Sequence, residues 1–264
     1  MGEKGFGGKR FDGKRFVITD DNAGEYILKM GAFVRDIVTQ ARRKGVVLGM
    51  SGGIDCSVVA RLCQEAGVYV KLLMLPDDDN MKMSSSHRDA LALIDGFGFD
   101  YEVCDIGKAC RAVESELGSL SDLSRMNIRP RMRMIVLYAA AQSVSCFVIG
   151  TGNLDERLLG YFTKWGDGAS DLNPLGLLTK GEVRILARYL GVPKAIVDKP
   201  ASAGLFEGQT DEEELGISYD LMDAFILKGT SGNAEVDGKI EQRIEMSRHK
   251  LEPIRVFGEC CSLC

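Results

Sequence analysis

The apolar run Val46-Val47-Leu48, the small-residue stretch Gly49-Met50-Ser51-Gly52-Gly53-Ile54-Asp55-Cys56 and, after Ser57, the helical pattern Val58-Val59-Ala60-Arg61-Leu62-Cys63 follow one another. Strand, tight turn and helix in that order point backbone N–H groups at an anion. Gly52 and Gly53 let the backbone approach a phosphate closely, and Ser51 adds a hydroxyl. Asp55 can hold a divalent cation at the same place. No Gly-Lys-Ser/Thr follows, so this is not a Walker A loop, and the Gly-x-Gly-x-x-Gly spacing of a dinucleotide fingerprint is absent. Taken alone, Gly-Gly after a strand is also the mark of a plain turn.

The remainder of the chain repeats the same alternation. Tyr26, Ile27, Met30, Phe33, Val34, Ile37, Val38 and Ala41 give residues 22–44 one apolar face at helical spacing. Strand-like runs occur at 46–50, 69–75, 101–104 and 146–150. Helical patterns fall between them at 55–66, 84–97, 106–118 and 120–143, with Pro130 early in the last. Further helices are expected at 179–190, 217–227 and 237–249, and the polar stretch 198–215 reads as a mobile loop. Continuous apolar strands alternating with helices predict an α/β fold, a doubly wound and mostly parallel sheet flanked by helices. Such sheets bind ligands beyond the carboxyl ends of their strands, near a switch in strand order. Residues 49–56 and 150–156 both follow strands. One domain is expected over 22–250, with an N-terminal arm at 1–21 and a cysteine-containing tail at 251–264.

Net charge over the 264 residues is −5, so no global basic field invites nucleic acid. A small anionic substrate needs only a local cluster of cations. No run of eighteen apolar residues and no signal-peptide pattern is present, which predicts a cytoplasmic protein without a membrane span. Five of the eight cysteines, Cys56, Cys63, Cys104, Cys110 and Cys146, read as buried thiols, in keeping with a reducing compartment. Cys260, Cys261 and Cys264 form a Cys-x-x-Cys tail with no second pair or His beside it, and an oxidation-prone tail is the default reading over a zinc site.

Two more clusters carry chemistry. Gly150-Thr151-Gly152-Asn153-Leu154-Asp155-Glu156 is a second tight turn at a strand end. Glu156 with Asp55 would supply the one or two carboxylates that Mg²⁺ prefers beside phosphate oxygens and water. Glu156 is equally an ordinary acid of a first helical turn. The third cluster runs from Phe162-Thr163-Lys164-Trp165-Gly166-Asp167-Gly168 to Asp171, followed by Leu178-Thr179-Lys180.

With these residues the chain resembles the ammonia-dependent NAD⁺ synthetases of the ATP-pyrophosphatase superfamily. The resemblance covers about residues 22–250. It is carried, in family order, by the Ser51–Asp55 turn, Asn127 to Met134, Gly150 to Glu156, Phe162 to Asp171, Leu178 to Lys180, Glu214 to Tyr219, and His249-Lys250. It implies that Gly49, Met50, Ser51, Gly52, Gly53, Ile54, Asp55, Cys56, Thr151, Lys180 and Ser202 contact ATP. It implies that Arg131, Lys164, Asp171, His249 and Lys250 bind deamido-NAD⁺, and that Asp55 and Glu156 hold Mg²⁺. Asp55, Lys180 and Asp171 are the implied catalytic residues. Arg129, Arg131 and Arg133 alternate, so they cannot all share one helix face.

The implied reaction is attack of the nicotinate carboxylate on the α-phosphorus of ATP, loss of pyrophosphate, and attack of ammonia on the acyl-adenylate to give NAD⁺ and AMP. The family also implies a homodimer, for which helices 22–44 and 120–143 offer apolar faces. Cys56 stands where relatives carry Ser, and a thiol is a weaker donor to phosphate; Ser57 is a possible substitute. Asp155, before Glu156, adds an acid that could alter metal affinity. Rival readings are another ATP pyrophosphatase, of the GMP-synthesising or tRNA-thiolating type, and a nucleotide-binding relative without turnover.

Overall fold

Val46, Val47 and Leu48 are enclosed on both sides of one strand, which is why their run carries no polar residue. The computed structural model describes residues 17–77, 84–201, 210–254 and 257. In it the central strand β1 (Gly45–Gly49) lies between β2 (Tyr69–Met74) and the short β4 (Phe147–Val148), and β3 (Tyr101–Val103) lies beyond β2. The order is β3-β2-β1-β4 and every pair is parallel. Val46 faces Val70 on one side and Phe147 on the other. A parallel bridge between Ile149 and Leu172 prolongs the sheet past β4. The chain leaves β1 toward β2 and returns on the opposite side at β4. The switch in strand order therefore falls at the carboxyl ends of β1 and β4, where such sheets open a crevice.

The helices are α1 (Ala23–Gln40), α2 (Ile54–Glu65), α3 (Ser85–Phe97), α4 (Gly107–Leu117), α5 (Asp122–Val144), α6 (Leu154–Leu159), α7 (Lys180–Tyr189), α8 (Lys194–Val197), α9 (Asp211–Leu215), α10 (Tyr219–Lys228) and α11 (Ala234–Ser247), ending in a 3₁₀ turn at Arg248–Lys250. The period-two alternation of a strand divides the core. Val46, Leu48 and Leu72 pack with Val34, Leu62, Leu93 and Leu186 from α1, α2, α3 and α7. Val47, Leu73 and Val148 face the other way, against Ile106, Cys110 and Ala141. A third cluster, with Leu159, Leu215, Ile217, Tyr219, Met222 and Ile240, joins α6 to the C-terminal helices.

The expected alternation and parallel sheet are both present, and four details differ. Cys104 is exposed, because the edge strand β3 has its outer side uncovered. The stretch 198–215 is not all loop: Thr210 and Glu213 cap each other reciprocally and start α9. The apolar stripe of α1 (Ile27, Val34, Val38) is used by the chain's own core. α11 begins at Ala234, since Asn233 caps it from outside. Residues 1–16, Ser202 and the cysteines Cys260, Cys261 and Cys264 lie outside the described residues. No helix among the described residues is long and apolar enough to cross a membrane.

Leu72 is fully buried in β2. Leu72→Ala is expected to lower unfolding stability by about 2–5 kcal/mol in urea denaturation, the cost of lost burial plus the cavity left behind.

Candidate active site

The turn between β1 and α2 is built to leave donors free. Gly53 caps α2 without a side chain, so no side-chain oxygen covers the first N–H groups of the helix. Gly52 has φ +83°, and a Cβ there would lie 1.9 Å from the Ser86 carbonyl oxygen of α3. Only glycine fits this left-handed, crowded position. Met50 and Ile54 are buried beneath the turn and hold it down, while Ser51 is exposed. The Ser51 hydroxyl accepts the Gly53 N–H at 3.3 Å and lies 3.3 Å from the Cys56 sulfur. The buried Cys56 thiol donates to the Gly53 carbonyl at 3.1 Å, and the Ser57 hydroxyl donates to the same carbonyl at 2.7 Å. Ser57 thus points back into its own helix and does not replace the missing hydroxyl.

The second turn reaches this one through Asn153, whose Nδ2 donates to Asp55 Oδ1 at 3.2 Å. Asn153 also starts α6 by a reciprocal cap. Its Oδ1 accepts the Glu156 N–H and its own N–H donates to Glu156 Oε2, both at 3.0 Å. One oxygen of Glu156 is spent on that cap, and the other lies 3.8 Å from Lys180 Nζ. Lys180 is 2% exposed and its Nζ stands 2.5 Å from Asp55 Oδ2. Burial opposes the ammonium charge, but Asp55 and then Glu156 outweigh it and leave the Lys180 pKa raised. Burial, then the charge of Asp55, pushes Glu156 up to about 8. Half-buried Thr151 sits in the turn between β4 and α6. No group of three or more His, Cys, Asp or Glu is arranged for a metal among the described residues. Asp55 and Glu156, two hard carboxylates converging on one ammonium, match what Mg²⁺ takes from a protein when phosphate and water complete its shell.

The cations form a second group. Arg131 Nη2 donates to the Lys164 carbonyl at 3.3 Å, and Lys164 Nζ donates to the His249 carbonyl at 2.6 Å. Lys250 Nζ donates to the carbonyls of Gly160 and Phe162 at 2.6 and 2.7 Å. Burial draws the Lys250 pKa down, with Asp167 opposing. Arg129 and Arg133, one turn apart on α5, reach Asp77 instead, at 2.5 and 3.7 Å. Their alternation with Arg131 does place them on a different face. Asp171 is used by the sheet: its Oδ2 accepts the Val148 N–H at 2.7 Å, its N–H donates to the Val148 carbonyl at 2.9 Å, and the Tyr138 hydroxyl bonds its carboxylate.

Asp155 lies elsewhere than its sequence position suggests. Fully buried, it turns away from Asp55, and its Oδ2 accepts the Lys180 N–H at 2.8 Å. Asp223 of α10 accepts the Gly181 N–H at 2.8 Å. Two carboxyl groups therefore cap the helix that begins with Lys180. Their remaining oxygens are buried without a donor among the described residues. Burial, then Asp223, raises the Asp155 pKa well above the carboxylate range; burial also raises Asp223. The sequence reading missed Asn153, Asp223 and the packing of Tyr219. Of these, Asn153 was signalled by its Asn-x-x-Glu capping spacing.

A pKa raised in the folded state means that the native protein holds a proton the unfolded chain gives up, so stability falls as pH rises above the ordinary aspartate range. Asp155→Asn keeps the acceptor for Lys180 N–H and offers Asp223 a permanent donor. Thermal melting is expected to show the variant at or above the parent at about pH 8, with the gap closing toward about pH 5.

The NAD synthase family profile matches residues 26–254. The NH₃-dependent NAD⁺ synthetase of Archaeoglobus fulgidus is 41% identical over 225 residues, 83% of this chain and 91% of that protein. The corresponding enzyme of Thermococcus sibiricus is 44% identical over 205 residues, 76% of this chain and 79% of its own length. Among solved structures, the NMN synthetase of Francisella tularensis superposes with a TM-score of 0.83 at 37% identity, covering 89% of this chain and 98% of that one. The NH₃-dependent NAD synthetase of Campylobacter jejuni, bound to nitrate, gives 0.75 at 28% identity over 89% and 99% of the two chains. A family profile that matches residues 26–254, with relatives about 40% identical over most of their length, shows that this chain belongs to the NAD synthase family.

Proposed function

We propose that the turn at Ser51–Asp55, Lys180 and the Arg131–Lys164–Lys250 group divide between them the two half-reactions of an amidating ligase. The chain is an ATP-dependent, ammonia-using NAD⁺ synthetase, a ligase that forms a C–N bond. The observation that carries the residue assignment is the buried Lys180 ammonium, 2.5 Å from Asp55 and beside the uncapped start of α2. It supports the assignment because a departing pyrophosphate is stabilised by a fixed cation and by uncovered helix N–H groups.

In this reading the nicotinate carboxylate of deamido-NAD⁺ attacks the α-phosphorus, and the bond to the β-phosphate oxygen breaks. The leaving pyrophosphate settles on the backbone of Ser51, Gly52 and Gly53 and is neutralised by Lys180, with Thr151 as a further ATP contact. Asp55 and Glu156 would hold Mg²⁺, which would supply further positive charge for the leaving group. Ammonia then attacks the acyl carbon, AMP departs, and the proton shed by nitrogen passes to the exposed Asp171. Arg131, Lys164, His249 and Lys250 bind the dinucleotide phosphates and carboxylate. Positioning and charge supply the acceleration, and no protein nucleophile is needed. A homodimer through the exposed apolar residues of α5, Leu123 and Ile135, and a cytoplasmic setting complete the proposal.

A second reading shortens the substrate. The likeness to the Francisella tularensis NMN synthetase favours a mononucleotide bearing the same nicotinate carboxylate. An assay with ATP, Mg²⁺, ammonium and either deamido-NAD⁺ or nicotinate mononucleotide separates the two. Equal amounts of NAD⁺ and AMP, formed only with all components, are expected. Turnover of the mononucleotide alone would transfer the reading to the shorter substrate, and ATP binding without amidation of either would favour a non-catalytic relative.

Asp55→Asn and Glu156→Gln should each slow adenylation by about 100-fold or more, and chelation of Mg²⁺ should do the same. Near-parent adenylation in either variant removes that carboxylate from the site. Cys56 is buried and bonds the same carbonyl as Ser57, so Cys56→Ser is expected to leave kcat and the KM for ATP close to the parent's in steady-state assays. Activity present only in Cys56→Ser would instead identify the parent as a binding protein.

A further inference from the structure

The motif Glu214–Tyr219 takes no part in the chemistry above, yet its tyrosine packs against the reacting lysine. Tyr219 is 1% exposed and its ring centroid lies 5.1 Å from Lys180 Nζ, which stands over the ring. The ring is fastened at both ends. Its hydroxyl donates to Asp211 Oδ2 at 3.0 Å, and its backbone N–H donates to Glu212 Oε1 at 2.6 Å. Asp211 is itself buried, and its other oxygen lies 3.2 Å from the Tyr161 hydroxyl. Tyr161 follows Gly160, whose carbonyl holds Lys250. One carboxylate thus reaches both the lysine cluster and the cation cluster. Burial, followed by the charge of Glu156, raises the Tyr219 pKa, so the phenol stays neutral and its hydroxyl remains a donor.

A lysine that neutralises pyrophosphate has opposing needs. Its ammonium must stay in place, and its three N–H donors must remain available to phosphate oxygens. A carboxylate partner fixes the ammonium but consumes a donor. An aromatic face attracts the charge without a directional hydrogen bond. We propose that Tyr219 is a positioning residue for Lys180: its ring face holds the ammonium at the pyrophosphate turn, and Asp211 holds the ring. The inference rests on the role given to Lys180 above.

The test replaces Tyr219 by Phe and then by phenylalanines carrying one, two and three ring fluorines, which weaken the negative face while nearly keeping its size. Thermal melting verifies that each variant folds, and AMP formation is followed with ATP, Mg²⁺, deamido-NAD⁺ and ammonium. Loss of the hydroxyl frees the ring from Asp211 and should by itself lower kcat, by about 2- to 5-fold, and the Phe variant is the reference for the fluorinated series. Added fluorines should lower kcat stepwise, by roughly 3- to 30-fold across the series, with both KM values unchanged. In a Lys180→Gln background the kcat series should be flat, because the other cation over the ring, the Arg184 guanidinium 5.9 Å from its centroid, has no part in the chemistry. A flat series in the parent, an equal decline in the Lys180→Gln background, or losses confined to KM would each overturn the proposal while leaving the reading of Lys180 intact. Parent-like turnover by Lys180→Gln alone would overturn that reading, and the role of Tyr219 with it.

Discussion

A buried lysine charge sets the terms for the rest of this structure. Lys180 is almost wholly excluded from solvent, and such an ammonium is tolerated only where opposite charge is close and well placed. Asp55 supplies that charge from the start of α2, Glu156 from the start of α6, and the Tyr219 ring closes a further side. Each partner comes from a different segment of the chain. The site is thus a convergence of three helix beginnings, α2, α6 and α7, at the place where the strand order of the sheet reverses. Helix N-termini favour negative charge, so the carboxylates are stabilised by the helix ends that carry them.

The supports behind these residues are as specific as the residues themselves. Asn153 both caps α6 and holds Asp55, so the two carboxylates cannot drift apart independently. Asp155 and Asp223 pin the first two N–H groups of α7 and so fix where the Lys180 side chain sets out. Burying two carboxyl groups together is costly when both are charged, and burial accordingly raises the pKa of both. Gly52 lets α3 lie directly against the turn, where any side chain would meet the Ser86 carbonyl. Preorganisation of this kind is what allows a site without a nucleophile to work by position and charge.

The cation group shows how one helix serves two purposes. Arg131 faces the Lys164 backbone near His249, whereas Arg129 and Arg133 turn to Asp77 and secure the end of β2. The helical period of α5 separates a candidate substrate contact from a structural pair at neighbouring even spacing.

Much of this was legible in the sequence. The apolar run before Gly49, the glycine turn and the helix after it specified a tight strand-end turn into a helix start without a side-chain cap, because Gly53 offers no oxygen to its first N–H groups. The alternation of strands and helices fixed a parallel α/β sheet for the same kind of reason, since continuous apolar strands need cover on both faces. The exposed edge at Cys104 and the direction of Ser57 were not legible, because each depends on what lies beside it and not on local pattern. Nor was the role of Asp155, which reads as one more acid next to Glu156 and becomes a buried cap for Lys180. Neighbours in a helix point about 100° apart, so Glu156 faces the lysine while Asp155 faces the backbone behind it. Local sequence determined which groups were available; packing across more than a hundred residues of chain decided which of them met.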